Sequence, residues 1–285
     1  MITIPAPLPP SKKKIKKNQK KIIIDKSCQF HVVTLHFQMK NIYFSEISRI
    51  KAPFVTFFEI FYLSLNLNYI NNMTVNIPII STALPGLCDN LPVAIYVHGL
   101  ASGAAGTTIN SLARKFKQYR WITTDFGENI ETNVAMLNCL ICQENPELIV
   151  GTSMGGLTVL YADAPNAIKV VCNPALSIAD CVRHTIGLGK HNYFCERIDG
   201  IQSFELTNEM CCNYDNYIKT NTPLLGKENY AIFSAHDELL GDGASNAAQQ
   251  VVSTVGYNVY IDAKGVHRMT SSTIKIISKL INKNQ

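Results

Sequence analysis

The sequence predicts an α/β fold, a mostly parallel sheet with helices on both faces, and three observations carry that prediction. From residue 92 onward, short apolar runs alternate with segments of helical apolar spacing. The runs stop at polar or helix-breaking residues, such as His98-Gly99 after Val97 and Asn173-Pro174 after Cys172. The residues best suited to chemistry fall directly after the strand-like runs, and right-handed crossovers collect such positions on one edge of a parallel sheet, where ligand sites form.

In chain order, Pro92–Val97 reads as strand, Ile109–Phe116 as a short helix and Tyr119–Thr123 as strand. Asn129–Cys142 has apolar residues at helical spacing, and Asn145-Pro146 ends it. Leu148–Val150 reads as strand, Gly155–Tyr161 as helix and Ala167–Cys172 as strand. A less regular insert spans 175–227, long enough for one to three short elements rather than a large lid. Strand Tyr230–Ser234, helix Ala244–Val252, strand Asn258–Ile261 and helix Thr270–Ile281 complete the pattern.

The 285 residues carry a net charge of +5 that is unevenly placed. Residues 1–72 hold 11 Lys+Arg against 3 Asp+Glu, whereas 73–285 hold 15 against 18. The basic character therefore belongs to an N-terminal extension, with its lysine run Lys12–Lys21, and not to the regular region that follows. This run reads as a solvated, poorly ordered tail. It lacks the aromatic interleaving and zinc-ligand spacing of a nucleic-acid reader, so no nucleic-acid partner is expected. The apolar stretch Pro53–Leu67 is interrupted by Glu59 and is too short to cross a bilayer, and no transmembrane segment is expected. Residues 1–72 are expected to lie outside the folded domain of 73–285, as they would if the start codon were assigned too early. Nine cysteines, an odd number without a secretory signal before them, indicate reduced thiols in a cytoplasmic protein. Cys139-x-x-Cys142 has redox spacing but falls inside a helix, where packing explains it.

The most specific motif is Gly151-Thr152-Ser153-Met154-Gly155-Gly156, directly after Leu148-Ile149-Val150. A strand ending in Gly-x-Ser-x-Gly is the signature of a nucleophile elbow. The chain must turn sharply from strand to helix so that the hydroxyl stands clear, and the small flanking residues let neighbouring backbone pass close by. A serine hydroxyl is a poor nucleophile at neutral pH and needs a base, which needs an orienting carboxylate. In chain order Ser, acid, His, the candidates are Ser153, Asp237 and His267, each just after a strand. Ser153 is the expected nucleophile, His267 the proton shuttle and Asp237 the group that fixes the imidazole. His98, His184, His191 and His236 are the competing imidazoles, and Glu238 and Asp242 the reserve acids; Asp125 is a wall residue or a support for the histidines. For an oxyanion the expected donors are the backbone N–H groups of Met154 and Leu100. His98 is expected to shape that loop.

Rival chemistries lack their motifs. There is no Gly-x-x-x-x-Gly-Lys-Ser/Thr loop and no His-Glu-x-x-His helix, and Gly99, Gly103 and Gly106 do not have dinucleotide spacing. The sequence asks for no cofactor and no metal.

These residues resemble the α/β-hydrolase superfamily, and more narrowly the small YqiA/YcfP-type esterase family. The matching pieces are Ile95-Tyr96-Val97-His98-Gly99-Leu100 with Ser102, then Val150–Gly156, then Asn173-Pro174-Ala175, with the Asp237 and His267 contexts in order. The resemblance covers residues 92–283. It implies a compact α/β-hydrolase fold, the three roles given above, and a small-molecule acyl ester or thioester as substrate. The chain departs from the pattern with Leu100 where Phe is usual and with Ala101-Ser102-Gly103-Ala104 in place of a serine-rich loop. Within the insert, Phe194, Phe204 and Tyr214 are candidate acyl-pocket residues, and Lys190 and Arg197 are candidates to meet an anionic headgroup. A thioesterase, and a catalytically silent binding protein on the same scaffold, are the alternatives to an esterase.

Overall fold

The computed structural model describes residues 77–81 and 90–282; the extension 1–72 lies outside the described residues. The strands are β1 (Ile80–Ser81), β2 (Val93–Val97), β3 (Arg120–Thr123), β4 (Leu148–Thr152), β5 (Ile168–Cys172), β6 (Gly189–Asn192), β7 (Ser203–Leu206), β8 (Glu228–His236) and β9 (Asn258–Val266). The helices are α1 (Thr107–Lys115), α2 (Ile130–Glu144), α3 (Met154–Tyr161), α4 (Ile178–Cys181), α5 (Asn208–Thr220), α6 (Gly241–Val255) and α7 (Ser271–Asn282). A π-helical turn, Val182–Ile186, continues α4.

Seven strands form one sheet in the order β1-β3-β2-β4-β5-β8-β9, parallel throughout except for β1, which pairs antiparallel with β3. The chain leaves β2 to build β3 on one side and then β4 on the other. That reversal makes a topological switch point, where neighbouring strand ends leave a crevice between their loops. The register Val97↔Gly151 brings the ends of β2 and β4 level, so the His98–Gly99 loop and the elbow emerge side by side.

Alternation along the strands divides the core into two layers, as expected for a sheet covered on both faces. Val93, Ile95 and Val97 of β2 face a layer with Ile130, Val134 and Leu137 of α2, Leu157 and Leu160 of α3, and Ala248 and Val252 of α6. Ala94 and Tyr96 face the other layer, with Ile109 and Leu112 of α1, Trp121, and Ile277, Leu280 and Ile281 of α7. Helix boundaries follow local chemistry. Asn129 caps α2 by accepting from the Thr132 amide at 2.9 Å, and Asn145 ends it in the left-handed region at φ 43°. Thr207 caps α5 through the Met210 amide at 3.1 Å, and Gly256 ends α6 at φ 116°.

The C-terminal end of α3 rests on a buried amine, whose pKa burial pushes down to about 7. Lys169 of β5 is fully buried, and its Nζ donates to the carbonyls of Leu160, Ala162 and Leu224 at 3.2, 3.0 and 2.7 Å. At this helix end the Ala162 carbonyl is satisfied by a side chain from the neighbouring strand, and Leu160 O is shared between that side chain and the Leu224 amide at 2.8 Å.

The structure differs from the sequence reading mainly between residues 175 and 227. That segment holds α4 with its π turn, the antiparallel hairpin β6–β7 and the 13-residue α5. It is small and packed onto the body, with Phe204, Leu206, Cys211 and Tyr214 in the core. Tyr214 is therefore a core residue, and the insert presents only Phe194 as an exposed large aromatic ring. Among the described residues no helix is long and apolar enough to cross a membrane.

Candidate active site

The elbow begins with strain. Ser153 sits at φ 55°, ψ −122°, a region that side chains avoid unless surrounding structure enforces it. Enforcement comes from both sides: the Ser153 amide donates to Cys172 O of β5 at 2.9 Å, and its carbonyl accepts from Leu157 at 3.0 Å and Ala175 at 3.2 Å. A Cβ on Gly155 would lie 2.2 Å from Val97 O, and one on Gly151 would lie 2.4 Å from Gly155 O. Only glycine lets α3 leave β4 this closely against β2. The serine side chain remains half-exposed while its neighbours are buried.

Three distant segments converge on it. Ser153 Oγ lies 2.9 Å from His267 Nε2, and His267 Nδ1 lies 2.9 Å from both carboxylate oxygens of Asp237. An ionised carboxylate only accepts, so Nδ1 carries the proton and Nε2 is left to accept from the serine hydroxyl. This is the geometry of a serine-hydrolase triad. Asp237 is buried, and burial alone would raise its carboxyl. The His267 ring and the Leu240 and Leu239 amides outweigh burial and hold it below the usual carboxylate range. Those amides donate to Oδ1 at 2.8 and 3.0 Å.

His267 is fixed through its backbone as well as its ring. Its N–H donates to Glu238 Oε2 at 2.9 Å, and its C=O accepts from Asn173 Nδ2 at 2.9 Å. Asn173 also donates to Ser234 Oγ at 2.9 Å and Val266 O at 3.3 Å, and accepts from the Ser234 amide at 2.7 Å. Its backbone is left-handed, φ 45°, a conformation asparagine tolerates better than most residues. Asn173 thus joins the end of β5, beside the elbow, to β8 and to the loop that carries the imidazole. Below that loop, Asp262 accepts from Ser272 at 2.7 Å and Thr273 at 2.8 Å. Neither Asn173 nor Glu238 was singled out by the sequence for these tasks. Asn173-Pro174 reads as a strand stop and Glu238 as a reserve acid, and no local pattern reports a bond across about 94 or 29 positions.

The loop after β2 is equally ordered. His98 is buried, and its Nε2 faces the Phe126 amide at 3.0 Å, so Nε2 accepts. Nδ1 therefore carries the hydrogen and donates to Gly99 O at 2.9 Å. Burial pushes the His98 pKa down to about 4, helped by the Arg197 charge, so this imidazole is neutral. Gly99 O also accepts from Ser102 at 3.3 Å. A trans peptide points its C=O and N–H in opposite directions, so holding Gly99 O here turns the Leu100 N–H away from both partners. Gly99 itself abuts the nucleophile, since a Cβ there would lie 3.1 Å from Ser153 Cβ. Among the described residues, neither the Leu100 nor the Met154 amide has a hydrogen-bond acceptor.

The other candidates fall elsewhere. His184, His191 and His236 take no part in the triad, and His191 stacks on Phe204, ring centroids 5.7 Å apart. Asp125 supports no histidine by hydrogen bond; it accepts from the Ala104 amide at 2.7 Å and the Asp199 amide at 3.1 Å. Arg197 is buried on Asp199 instead of facing a headgroup. Cys139 and Cys142 lie on α2, and among the described residues no three His, Cys, Asp or Glu side chains come together to hold a metal.

Comparison with solved structures agrees with this topology. The chain is similar to alpha/beta hydrolase domain-containing protein 10 from mouse, with a TM-score of 0.52 and 16% identity over 75% of this chain and 98% of that one. This is an α/β-hydrolase fold. Est1E from Butyrivibrio proteoclasticus, in a structure with ferulic acid bound, has a TM-score of 0.50 and 13% identity over 73% of this chain and 93% of that one. No family model matches the chain, and no curated protein matches it. At these identities the likeness speaks for the α/β-hydrolase fold, and the chemistry rests on the side chains described above.

Proposed function

We propose that the protein is a serine hydrolase that cleaves small-molecule carboxylic esters through an acyl-enzyme intermediate. One observation carries the proposal: Ser153 Oγ, His267 Nε2 and the Asp237 carboxylate form one continuous hydrogen-bonded line at a strained elbow. Ser153 is the nucleophile in this reading. As its oxygen attacks the acyl carbonyl, His267 Nε2 takes the proton, and Asp237 stabilises the imidazolium and keeps its orientation. The negative charge moves to the former carbonyl oxygen, for which the Leu100 and Met154 amides are the proposed donors. Support for Leu100 is the fixed orientation of the Gly99 carbonyl, and support for Met154 is its place as the first residue of α3.

Collapse of the tetrahedral intermediate expels the alkoxide, which takes the proton from His267. Water then enters, gives a proton to His267 and attacks the acyl-serine; collapse expels Ser153 Oγ, which takes that proton back from His267, and frees the acid product. Neither a metal nor a cofactor enters these steps. The short insert, with its motif contexts, supports a place near the small YqiA/YcfP-type esterases. A cytoplasmic setting is proposed with it, on the unpaired thiols of the described cysteines.

The test is turnover of p-nitrophenyl acetate and butyrate by the full chain, beside the matching acyl-coenzyme A thioesters, in wild type and Ser153→Ala. Ester hydrolysis lost in Ser153→Ala is the expected result. Turnover of thioesters alone would move the substrate to that class. A folded protein with no turnover of either would contradict the proposal in favour of a silent binding protein.

A further inference from the structure

The loop proposed to supply the oxyanion donor holds a residue in a conformation that its own side chain resists. Ala101, next to Leu100, has φ 59°, where a Cβ crowds the following carbonyl and glycine alone is at ease. Such a residue persists only when its surroundings fix it. The contacts that fix it come from outside the loop. The Phe194 amide of the insert donates to Ala101 O at 2.7 Å. Asp125 Oδ1 accepts from the Ala104 amide at 2.7 Å. Arg197 Nη1 donates to Phe126 O at 2.9 Å and reaches Ser102 O at 3.5 Å.

Arg197 is the centre of this brace. Its Nε and Nη2 engage Asp199 at 3.0 and 2.5 Å, and its guanidinium lies 4.1 Å over the Tyr193 ring. The Asp199 amide then returns to Asp125 Oδ2 at 3.1 Å, so Asp125 touches both the loop and the insert. Gly103 fits between them, because a Cβ there would lie 3.0 Å from both Arg197 Cγ and Asp125 Oδ1. A guanidinium side chain only 3% exposed on a short insert is costly to keep unless its hydrogen bonds are met, and its fork is turned inward onto Asp199 and main-chain carbonyls. The triad makes no use of it.

We propose that Arg197 is a positioning residue for the oxyanion donor. Through it, the insert segment Tyr193–Asp199 braces the strained Leu100–Ala104 loop so that the Leu100 N–H stays aimed at the reacting carbonyl. This rests on the acyl-serine reading above, so one of its tests needs no substrate.

The perturbation is Arg197→Met with Asp199→Asn in the full chain, which removes both charges and strands neither. Hydrogen exchange at the Ser102 and Ala104 amides should accelerate about tenfold or more, while exchange in α3 stays unchanged. On p-nitrophenyl butyrate, kcat should fall about tenfold to a hundredfold with KM within about threefold, and the pH profile should keep its shape. Adding Ala101→Gly, which removes the strain the brace holds, should recover most of the lost rate. Wild-type exchange in the loop of the folded variant would overturn the proposal whatever the rate does, and so would a wild-type kcat. Should the parent protein turn over neither ester nor thioester, the acyl-serine reading fails, and loop exchange alone then decides the brace. Phe194→Pro, which deletes the amide donor to Ala101 and, with the ring, the surface contact of Arg268 at 5.3 Å, is read the same way if the double variant does not fold.

Discussion

Replacing Asn173 with glycine tests how the imidazole is held in line with the serine. Glycine suits the left-handed backbone at φ 45°, so the substitution removes the side-chain network without adding strain. Four contacts disappear: donation to Ser234 Oγ, Val266 O and His267 O, and acceptance from the Ser234 amide. Val266 O keeps a partner in Ser234 Oγ at 2.8 Å, so two buried groups are orphaned, His267 O and the Ser234 N–H. At about 1–3 kcal/mol for each unsatisfied buried group, the loss of stability is about 2–6 kcal/mol. His267 would then be tied by its N–H to Glu238 and by its ring to Asp237, with nothing from β5 fixing the distance to Ser153. A drift of an ångström in such a contact costs about a hundredfold in rate. Urea unfolding and ester kinetics measure the two effects. We expect kcat to fall about tenfold to a hundredfold, with KM little changed. A folded Asn173→Gly with wild-type kcat would refute the idea that this side chain registers the histidine loop on the elbow.

Three further outcomes follow from the same contacts. His98 has a pKa near 4 in the folded chain and an unfolded value near 6.5, so the unfolded chain binds more protons between these values and stability falls as pH drops through that window. About 2.5 units at 1.36 kcal/mol each gives a loss of about 3 kcal/mol from pH 7 to pH 4, read from urea midpoints, and a flat profile would contradict it. Lys169→Met removes the only donor described for Ala162 O, while Leu160 O keeps the Leu224 amide at 2.8 Å and Leu224 O keeps Tyr257 Oη at 3.2 Å, so unfolding free energy should fall by about 1–3 kcal/mol. Gly155→Ala would place a methyl 2.2 Å from Val97 O, a backbone atom that no rotamer change can relieve, and should cost about 3 kcal/mol or more and most of the activity, read by thermal melting and ester turnover.

What the sequence made legible was local. The buried strands β2 and β4 are short apolar runs with a clear stop, β5 departs from that pattern only at Lys169 and β8 carries its apolar run at Tyr230–Phe233, and the elbow needs glycine at fixed offsets from one serine, so each is written within a few residues. Chain order was enough to pair Ser153 with Asp237 and His267, because each follows a strand of one parallel sheet. The insert was less readable. Helix α5 buries only Cys211 and Tyr214, too few for a visible helical period. Strand β9 runs on to Val266 through Asp262 and Lys264, polar residues that end an apolar pattern although pairing with β8 continues across a bulge. Asn173, Glu238 and Arg197 act across long sequence separations, largely through side-chain bonds to main-chain groups. No spacing rule announces such contacts. Arg197 read as a candidate to meet an anionic headgroup because arginine usually keeps its charge accessible, and its burial depends on Asp199 and Tyr193 folding around it.

The account stands on an activated hydroxyl at Ser153, and a fluorophosphonate probe reports that property without knowledge of the natural substrate. Incubation of the full chain followed by peptide mass spectrometry should show one phosphonylated residue, Ser153. Labelling should vanish in Ser153→Ala and slow by about a hundredfold or more in His267→Ala. A folded protein that reacts at no serine, or reacts at Ser153 equally well without His267, would contradict the account.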